Sequence, residues 1–221
     1  MNTLMLSWRG PGHPHFGGAE INTMENAVAW SKAGHRVVWF TSAFPGGKAQ
    51  EIVNGVLVIR RGSQNLGVHI AAFRWYLFEK HLKFDVVVDQ FHGIPFFTPL
   101  YVRTPKLGFI HEVAHEVWWL NPWPWPFNLI AGFVGSQLEP LIFMLYRWTH
   151  FMTVSNSTKE DLMKLGIPEK NIHVFLSGVN LKIPPRLPKK SILPVIMFLG
   201  ALSKDKGIED AILVFSDIHK A

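Results

Sequence analysis

Residues 3–42, TLMLSWRGPGHPHFGGAEINTMENAVAWSKAGHRVVWFTS, contain the pattern that decides the fold. The run TLMLSW is short and apolar, as buried strands are. Ile21, Met24 and Val28 then recur at helical spacing up to Gly34, and RVVWFTS is a second apolar run. A strand, a helix and another buried strand in this order predict a parallel β–α–β unit.

The same alternation continues along the chain. Further strand-like runs are FDVVVDQ, KLGFIH, FMTVS and IHVFLS, and EIVNGVLVIRRG predicts a β-hairpin that turns on Asn54 and Gly55. We therefore predict an α/β fold with a Rossmann-like parallel sheet and helices on both faces. Because ligands of such sheets bind beyond the carboxyl ends of the strands, we expect the site in the loops after TLMLSW, FDVVVDQ, KLGFIH and FMTVS.

Other local patterns complete the prediction of the fold. Residues 117–133 are rich in Trp and Pro and predict an irregular segment, followed by an apolar helix over Leu141–Trp148. Ser157 and Glu160 have the spacing of a helix capping box. We expect no stretch of about 20 residues that is apolar enough to span a bilayer, residues 127–146 coming nearest.

The last part of the chain predicts a second domain. A linker rich in Pro and Lys precedes the strand-like run PVIMFLG and one amphipathic helix, KDKGIEDAILVFSDIHKA. One strand and one helix cannot bury their own apolar faces, so we expect the chain to be truncated inside this domain and inactive alone. The predicted boundaries are 1–181 for the first domain, 182–194 for the linker and 195–221 for the start of the second.

The composition is that of a globular protein with a basic surface. Of the 221 residues, 48% are hydrophobic and 17% charged, and the net charge is +6. Such a charge suits nucleotide phosphates, nucleic acid or anionic lipid. Lys and Arg are spread along the chain rather than clustered, so we expect no nucleic-acid partner. The absence of Cys excludes disulfides and thiolate chemistry.

The segment from His111 to His115 matches the HExxH pattern of zinc hydrolases. That chemistry needs both histidines on one continuous helix, with Glu112 as the base and a third ligand, for which Glu139 is available. However, His111 follows the strand-like run KLGFIH. The competing interpretation places His111 alone at the carboxyl end of a strand, as a polar or acid–base group in the cleft.

Three other loops carry candidate site residues. The glycine-rich loop 9–20, RGPGHPHFGGAE, predicts either an anion-facing helix start or a flexible turn. Asp89 and His92 follow a buried strand, where site residues occur, although a loop-capping Asp and a solvated His are equally typical there. The loop GALSKDKG places Lys204 and Lys206 beside a helix start, as a phosphate site or as a solvated turn.

Residues 117–135, VWWLNPWPWPFNLIAGFVG, contain four Trp residues among prolines. Trp occurs at this density at membrane interfaces, in sugar-stacking sites and in protein cores. Because Pro keeps the segment irregular, we expect some of these rings to be exposed near the cleft and to lie on anionic lipid. Burial of the rings in the core, or stacking on a soluble sugar, is the alternative.

In their order, these segments resemble the glycosyltransferases of family 4, which have the GT-B fold. GGAE resembles the family's Gly-Gly-x-Glu loop, FDVVVDQFHG its Pro-Asp-Val-Val…His segment, and FIHEV its His-Asp strand end. VSNSTKEDLMKLGIPEKNIHVFLSGVNL is similar to its Val-Ser…Asn-Gly-Val-Asp stretch, and FLGALSKDKGIEDAI to its Val-Gly-Arg-Leu…Lys-Gly-Ile stretch. The ordered series covers nearly the whole chain.

The resemblance implies the N-terminal, acceptor-binding half of a GT-B fold and the start of its donor-binding half. The implied reaction moves a hexose from a nucleotide-sugar donor to a glycan or lipid-linked acceptor, with retention of the anomeric configuration and without a metal or other cofactor. We expect a cytoplasmic protein that lies on the inner face of the cell membrane through peripheral contact with anionic lipid.

The resemblance also implies roles for particular residues. His111 would line the reaction centre as the catalytic residue. The donor-binding residues would be Gly17, Gly18, Glu20, Lys204 and Lys206. Our acceptor-binding candidates are His92, Trp118, Trp123 and Trp125.

Two positions depart from the family pattern. The family's Arg falls on Ala201 and its Asp on Asn180. Since Ala201 removes half of the Arg/Lys diphosphate clamp, a non-catalytic GT-B-like binding module is an alternative function, beside the zinc metallohydrolase.

Overall fold

The computed structural model describes residues 1–92, 94–121, 124–178, 189, 191–200, 202 and 206–220. The chain divides into two compact units. The first consists of Met1–Ala114 and Leu138–Ser177, and the second of His115–Gln137 and Gly178–Ala221. The predicted domain boundary near residue 181 stays a prediction, because residues 179–188 lie outside the described part of the chain.

The described residues of the first unit contain eight strands in one sheet. The strands are β1 (Asn2–Leu6), β2 (Arg36–Thr41), β3 (Gln50–Val53), β4 (Val56–Arg60), β5 (Val86–Phe91), β6 (Lys106–Ile110), β7 (His150–Thr153) and β8 (Ile172–Val174). Their order is β3-β4-β2-β1-β5-β6-β7-β8, and all neighbours are parallel except β3 and β4. The hairpin turns on Asn54 and Gly55, both at positive φ, as two-residue hairpin turns require.

Five α-helices are described: α1 (Gly18–Lys32), α2 (Leu66–Phe78), α3 (Phe127–Leu145), α4 (Asn156–Lys164) and α5 (Ile208–Lys220). Short 3-10 turns occupy Thr98–Leu100, His115–Leu120 and Glu169–Asn171.

Helices cover both faces of the sheet. In β1, Met5 belongs to the core that contains Ala27 of α1, whereas Leu4 and Leu6 belong to the core that contains Ala72 of α2. Successive side chains of a strand point to opposite faces, so α1 and α2 lie on opposite faces. The predicted Rossmann-like α/β fold is confirmed.

The strand order reverses at β1. The chain leaves β1 through α1 to reach β2 on one side, and it returns through α2 to β5 on the other side. The loops that follow β1 and β5 therefore diverge at the carboxyl edge of the sheet. In open α/β sheets this switch point is where ligands bind.

The prediction for α3 was wrong in two respects. The helix begins at Phe127 rather than Leu141 and contains Pro140. Pro126 ends the proline cluster, and its carbonyl accepts the first helical bonds, from Leu129 and Ile130. Contrary to expectation, the helix is also long and apolar enough to cross a membrane. Its mean hydropathy is 1.3, and only 22% of its 18-residue apolar stretch is buried. In this fold, however, α3 joins the parallel neighbours β6 and β7, and its Phe143 is buried in their core.

Two smaller predictions were also wrong. Ser155, not Ser157, caps α4: its backbone is extended and its Oγ accepts from the Thr158 N–H at 3.1 Å. In the second unit, residues 191–200 form no strand and are exposed throughout, although PVIMFLG predicted one. A strand needs a neighbour for its backbone groups, and the described residues of that unit provide none.

Asp89 fixes the loop that follows β5. The carboxyl group is fully buried, and its oxygens accept from the Phe96 N–H at 2.9 Å, the Thr98 Oγ1 at 2.7 Å and the Tyr146 hydroxyl at 2.5 Å. Burial raises the pKa of Asp89, and these hydrogen bonds oppose the rise. The loop-capping interpretation of Asp89 is confirmed.

We predict that Asp89→Asn lowers the free energy of unfolding by about 2–4 kcal/mol, because the amide NH2 would face donors that now have an acceptor. Tyr146→Phe removes one hydroxyl donor and should cost about 1 kcal/mol. Urea denaturation measures both. Equal stability of the two variants would contradict a carboxyl group that holds several donors at once.

Candidate functional site

Three aromatic rings form a row at the carboxyl edge of the sheet. Trp8 follows β1, His92 follows β5 and His111 follows β6, and these strands are neighbours. The Trp8 and His92 rings stack with centroids 5.4 Å apart, and those of His92 and His111 are 6.4 Å apart at 25°. The structure thus brings together the predicted residues His92 and His111. Trp8 was missed by the sequence analysis.

The histidine rings of this row have nitrogen atoms that no described residue satisfies. Nε2 of His92 and Nε2 of His111 are both shielded from solvent and have no hydrogen-bond partner in the described part of the chain. Buried polar atoms in native proteins are normally paired. Two such atoms occur together at the switch point, where ligands of open α/β sheets bind.

Both imidazoles are neutral near pH 7. Burial is the main cause that lowers the pKa of His92 to about 3, and the neighbouring His111 and Arg9 contribute to the same shift. Burial also lowers the pKa of His111, while Glu20 and Glu112 oppose the shift. A neutral imidazole has one N–H donor and one acceptor nitrogen, so the row can bind hydroxyl groups without adding charge.

The position of His111 is fixed from two sides. The Thr158 hydroxyl in α4 donates to the His111 carbonyl at 2.9 Å. The Phe109 ring packs against the imidazole of His111, with the ring centroids 4.7 Å apart. Since Phe109 lies in β6, the ring orientation is tied to the sheet. Such support is what a residue that orients a substrate needs.

Glu20 clamps the loop between β1 and α1. Its buried carboxylate pairs with Arg9, Nε to Oε1, at 3.2 Å and accepts from the Gly17 N–H at 2.8 Å. Arg9 also donates to the His15 carbonyl, and its guanidinium lies 4.3 Å from the centroid of the Trp8 ring. The clamp joins the start of the loop to its end and supports the aromatic row.

The helix start is open at Gly18, whereas a Cβ at Gly17 would lie 3.3 Å from Oε2 of Glu20. A Cβ at Gly18 would have no atom within 4 Å, so the space beside the first turn of α1 is free. A helix N-terminus favours negative charge. Gly10 is required for another reason, because a Cβ there would lie 2.7 Å from the Thr41 side chain.

A buried arginine holds the outer part of the same loop. Arg60 at the end of β4 donates to the Pro11 carbonyl at 2.6 Å and the Lys48 carbonyl at 3.0 Å, and it pairs with Glu51 at 2.7 Å. Nothing in the sequence distinguished Arg60 from the neighbouring exposed Arg61. A buried cation with these partners makes the loop a rigid part of the domain.

The HExxH pattern does not lie on one helix. His111 is in a bend after β6, and His115 begins the 3-10 turn His115–Leu120. Glu139 instead accepts from the Ala114 N–H at 3.0 Å. Within the described residues, no group of three or more His, Asp or Glu side chains is arranged to hold a metal ion. The backbone therefore does not favour the zinc-hydrolase alternative.

The remaining predicted site residues lie in the second unit. Trp125 is 78% exposed, as expected for part of the segment, whereas Trp118 is partly buried against Gly135 of α3. Lys206 is exposed just before α5. The other positions named for this unit lie outside the described residues: Trp123, Asn180, Ala201 and Lys204. The predicted roles of all these residues stay predictions.

A mostly parallel sheet with helices on both faces defines a Rossmann-like domain, and such domains bind their ligands at the carboxyl edge of the sheet. The family model for Glycosyltransferase Family 4 matches residues 16–183, which is well over half of the chain. The chain therefore belongs to glycosyltransferase family 4, as its motifs suggested. No curated protein sequence matches it.

We predict a pH dependence of stability from His92. Its pKa is about 3 in the folded protein and near 6.5 when unfolded, so the unfolded chain binds more protons between these values. The free energy of unfolding should therefore fall as the pH is lowered from 7 to 5, and His92→Gln should reduce the slope by up to about 1.4 kcal/mol per pH unit. Urea denaturation at several pH values measures this.

His173→Gln, at an exposed position of β8, is the matched control for loss of a histidine. An equal reduction of the slope by both substitutions would contradict the assignment to His92. Movement of the His92 ring signals between pH 7 and 5 in NMR titrations would contradict it as well.

Proposed function

We propose that this protein transfers a hexose from a nucleotide-sugar donor to an acceptor hydroxyl with retention of the anomeric configuration. Family membership supports glycosyl transfer in general. The observation that carries the finer proposal is the pair of neutral, unpartnered rings, His92 and His111, at the switch point. Sugars present many hydroxyl groups, which such rings bind well.

In this proposal, His111 is the catalytic residue that contacts the transferred sugar. The bond from the anomeric carbon to the diphosphate breaks, a bond to the acceptor oxygen forms on the same face, and the acceptor proton leaves with the diphosphate. The sugar carries positive charge in an oxocarbenium-like transition state. A neutral imidazole orients the hydroxyls without repelling that charge, whereas an imidazolium would oppose it.

The donor side of the proposal rests on the loop before α1 and on the start of α5. Gly17 and Gly18 are the donor contacts of this proposal: Gly18 leaves open space at a helix N-terminus, and Glu20 holds the loop by accepting from the Gly17 N–H. Lys204 and Lys206 would neutralise the diphosphate as negative charge develops on it. No cofactor or metal takes part in this reaction scheme.

We propose a lipid-linked acceptor for the reaction. Trp125 and Trp119 are exposed in the segment before α3, and so are Phe127 and Phe133 on that helix. Exposed Trp and Phe on a protein of net charge +6 suit the interface of an anionic membrane. The enzyme would then be cytoplasmic, on the inner face of the cell membrane. The proposed acceptor-binding residues are Trp118, Trp123, Trp125 and His92.

The test uses the product of the complete reading frame and a panel of nucleotide sugars, with water-soluble glycans and lipid-linked acceptors in parallel. We expect transfer from one donor to a lipid-linked acceptor, with the donor's anomeric configuration in the product by NMR. Inversion would contradict the retaining mechanism. Donor binding without transfer to any acceptor would favour the non-catalytic module.

We predict that His111→Ala lowers kcat about a hundredfold or more, because an interaction made at the reacting sugar is lost. His115→Ala should change kcat only a few-fold, since residue 115 lies in the 3-10 turn beyond the strand end. Steady-state kinetics on both variants decide the matter. A larger loss for His115→Ala would refute the strand-end assignment.

A further inference from the structure

Helix α2 is apolar on both of its sides. Its 13 residues, LGVHIAAFRWYLF, include a single Lys, Arg, Asp or Glu side chain, that of Arg74. Val68, Ala72 and Trp75 are buried against the sheet. The opposite side carries four more large apolar residues: Leu66, Ile70, Phe73 and Leu77. A helix that is apolar all round is normally covered on all sides.

The outer residues of α2 form one continuous stripe. Leu66, Ile70, Phe73 and Leu77 follow each other at intervals of four, three and four, so they share one helix face. Phe78 ends the helix, and Leu100 lies in a turn whose Tyr101 ring packs on Phe73 at 5.0 Å. We call the following six residues the docking face: Leu66, Ile70, Phe73, Leu77, Phe78 and Leu100. They are between 40% and 77% exposed.

The charges around the docking face are mainly positive. Arg74 lies on α2, Lys80 follows the helix by two residues and Arg103 follows Leu100 by three, and all three are exposed. Two exposed acidic residues follow α2, and both have partners. Glu79 forms an ion pair with Arg61 at 2.5 Å, and Asp85 accepts from the Asn2 N–H at 2.7 Å. An apolar stripe with a cationic rim complements the surface of an anionic bilayer.

The length of α2 decides how it meets a bilayer. Thirteen residues span about 20 Å, less than the hydrocarbon core of about 30 Å, and one side of the helix belongs to the protein core. We propose that the docking face lies in the headgroup region of an anionic lipid membrane, with α2 parallel to the membrane plane. This contact is separate from the Trp-rich segment of the second unit.

The docking face begins beside the candidate active site. In the first turn of α2, a ring nitrogen of His69 is 3.1 Å from the Ile94 carbonyl, and the ring stacks on Phe96 at 4.4 Å. Both partners lie in the loop that follows His92. A lipid-linked acceptor with its chain in the membrane would therefore present its head group near His92. This consequence, unlike the docking itself, rests on the proposed function.

Vesicle co-sedimentation of the 221-residue chain tests the proposal, with phosphatidylcholine vesicles that contain or lack phosphatidylglycerol. We expect sedimentation with the anionic vesicles, weakened by salt. Ile70→Glu/Leu77→Glu should weaken binding about tenfold or more. Arg74→Gln should weaken it about fivefold. The matched control is Ile21→Glu, because Ile21 is exposed on α1, on the other face of the sheet.

Several results would overturn the docking face. One is that the chain does not bind anionic vesicles at low salt. Another is that Ile21→Glu weakens vesicle binding as much as Ile70→Glu/Leu77→Glu does. A dimer that the double variant dissociates, without vesicle binding, would assign the face to a second copy of the chain. Loss of binding with Trp125→Ala alone would assign the contact to the Trp-rich segment.

Circular dichroism checks that each variant is folded. If the double variant does not fold, Arg74→Gln alone tests the docking face. Because no sugar transfer is measured, failure of the docking face leaves the proposed reaction standing. Failure of the transfer assay likewise leaves the vesicle result standing.

Discussion

Parallel neighbouring strands can be joined only by crossovers, and the fixed hand of those crossovers constrains everything else in this domain. The chain moves from β1 to β2 in one direction and from β4 back to β5 in the other, so α1 and α2 must lie on opposite faces. The same reversal separates the loops after β1 and β5. The crevice that holds Trp8 and His92 is thus a consequence of strand order.

The chemistry of the site follows from burial at that crevice. Burial lowers the pKa of both His92 and His111, and for His92 the neighbouring His111 and Arg9 add to the shift. Arg9 is balanced by Glu20, which also closes the glycine-rich loop onto the start of α1. In the proposed reaction, the two neutral rings would face the hydroxyl groups of the sugar, without a charge that would oppose the positive charge developing on it.

Regular elements were predictable because each has a local signal. The strand runs, the Asn54–Gly55 hairpin and the His111 strand end all came from periodicity or turn chemistry. The start of α3 was missed because the carbonyl of Pro126, inside a proline cluster, supplies its first bonds. Ser155 was missed as the cap of α4 because Ser157 offered a similar pattern two residues later.

Long-range partners have no such signal. Trp8, Arg9 and Arg60 acquire their roles from residues in other segments, as the contact of Arg60 with the Pro11 carbonyl across 49 positions illustrates. The sequence placed Asp89 at a strand end, but it could not show whether the carboxyl group binds a ligand or caps the loop. That depends on its partner Tyr146, which lies 57 positions away. The HExxH match failed for the opposite reason, since a short pattern cannot reveal that its two histidines lie in different backbone conformations.

The buried carboxyl group of Asp89 has an evolutionary consequence. It joins β5, the Thr98 turn and the residue after α3 through one set of hydrogen bonds. Loss of the Asp89 carboxyl group, or of a hydroxyl group that donates to it, leaves the remaining partner with an unsatisfied buried atom. Positions 89, 98 and 146 are therefore expected to covary among homologues: an apolar residue at 89 should be accompanied by Phe at 146 and by loss of the hydroxyl at 98.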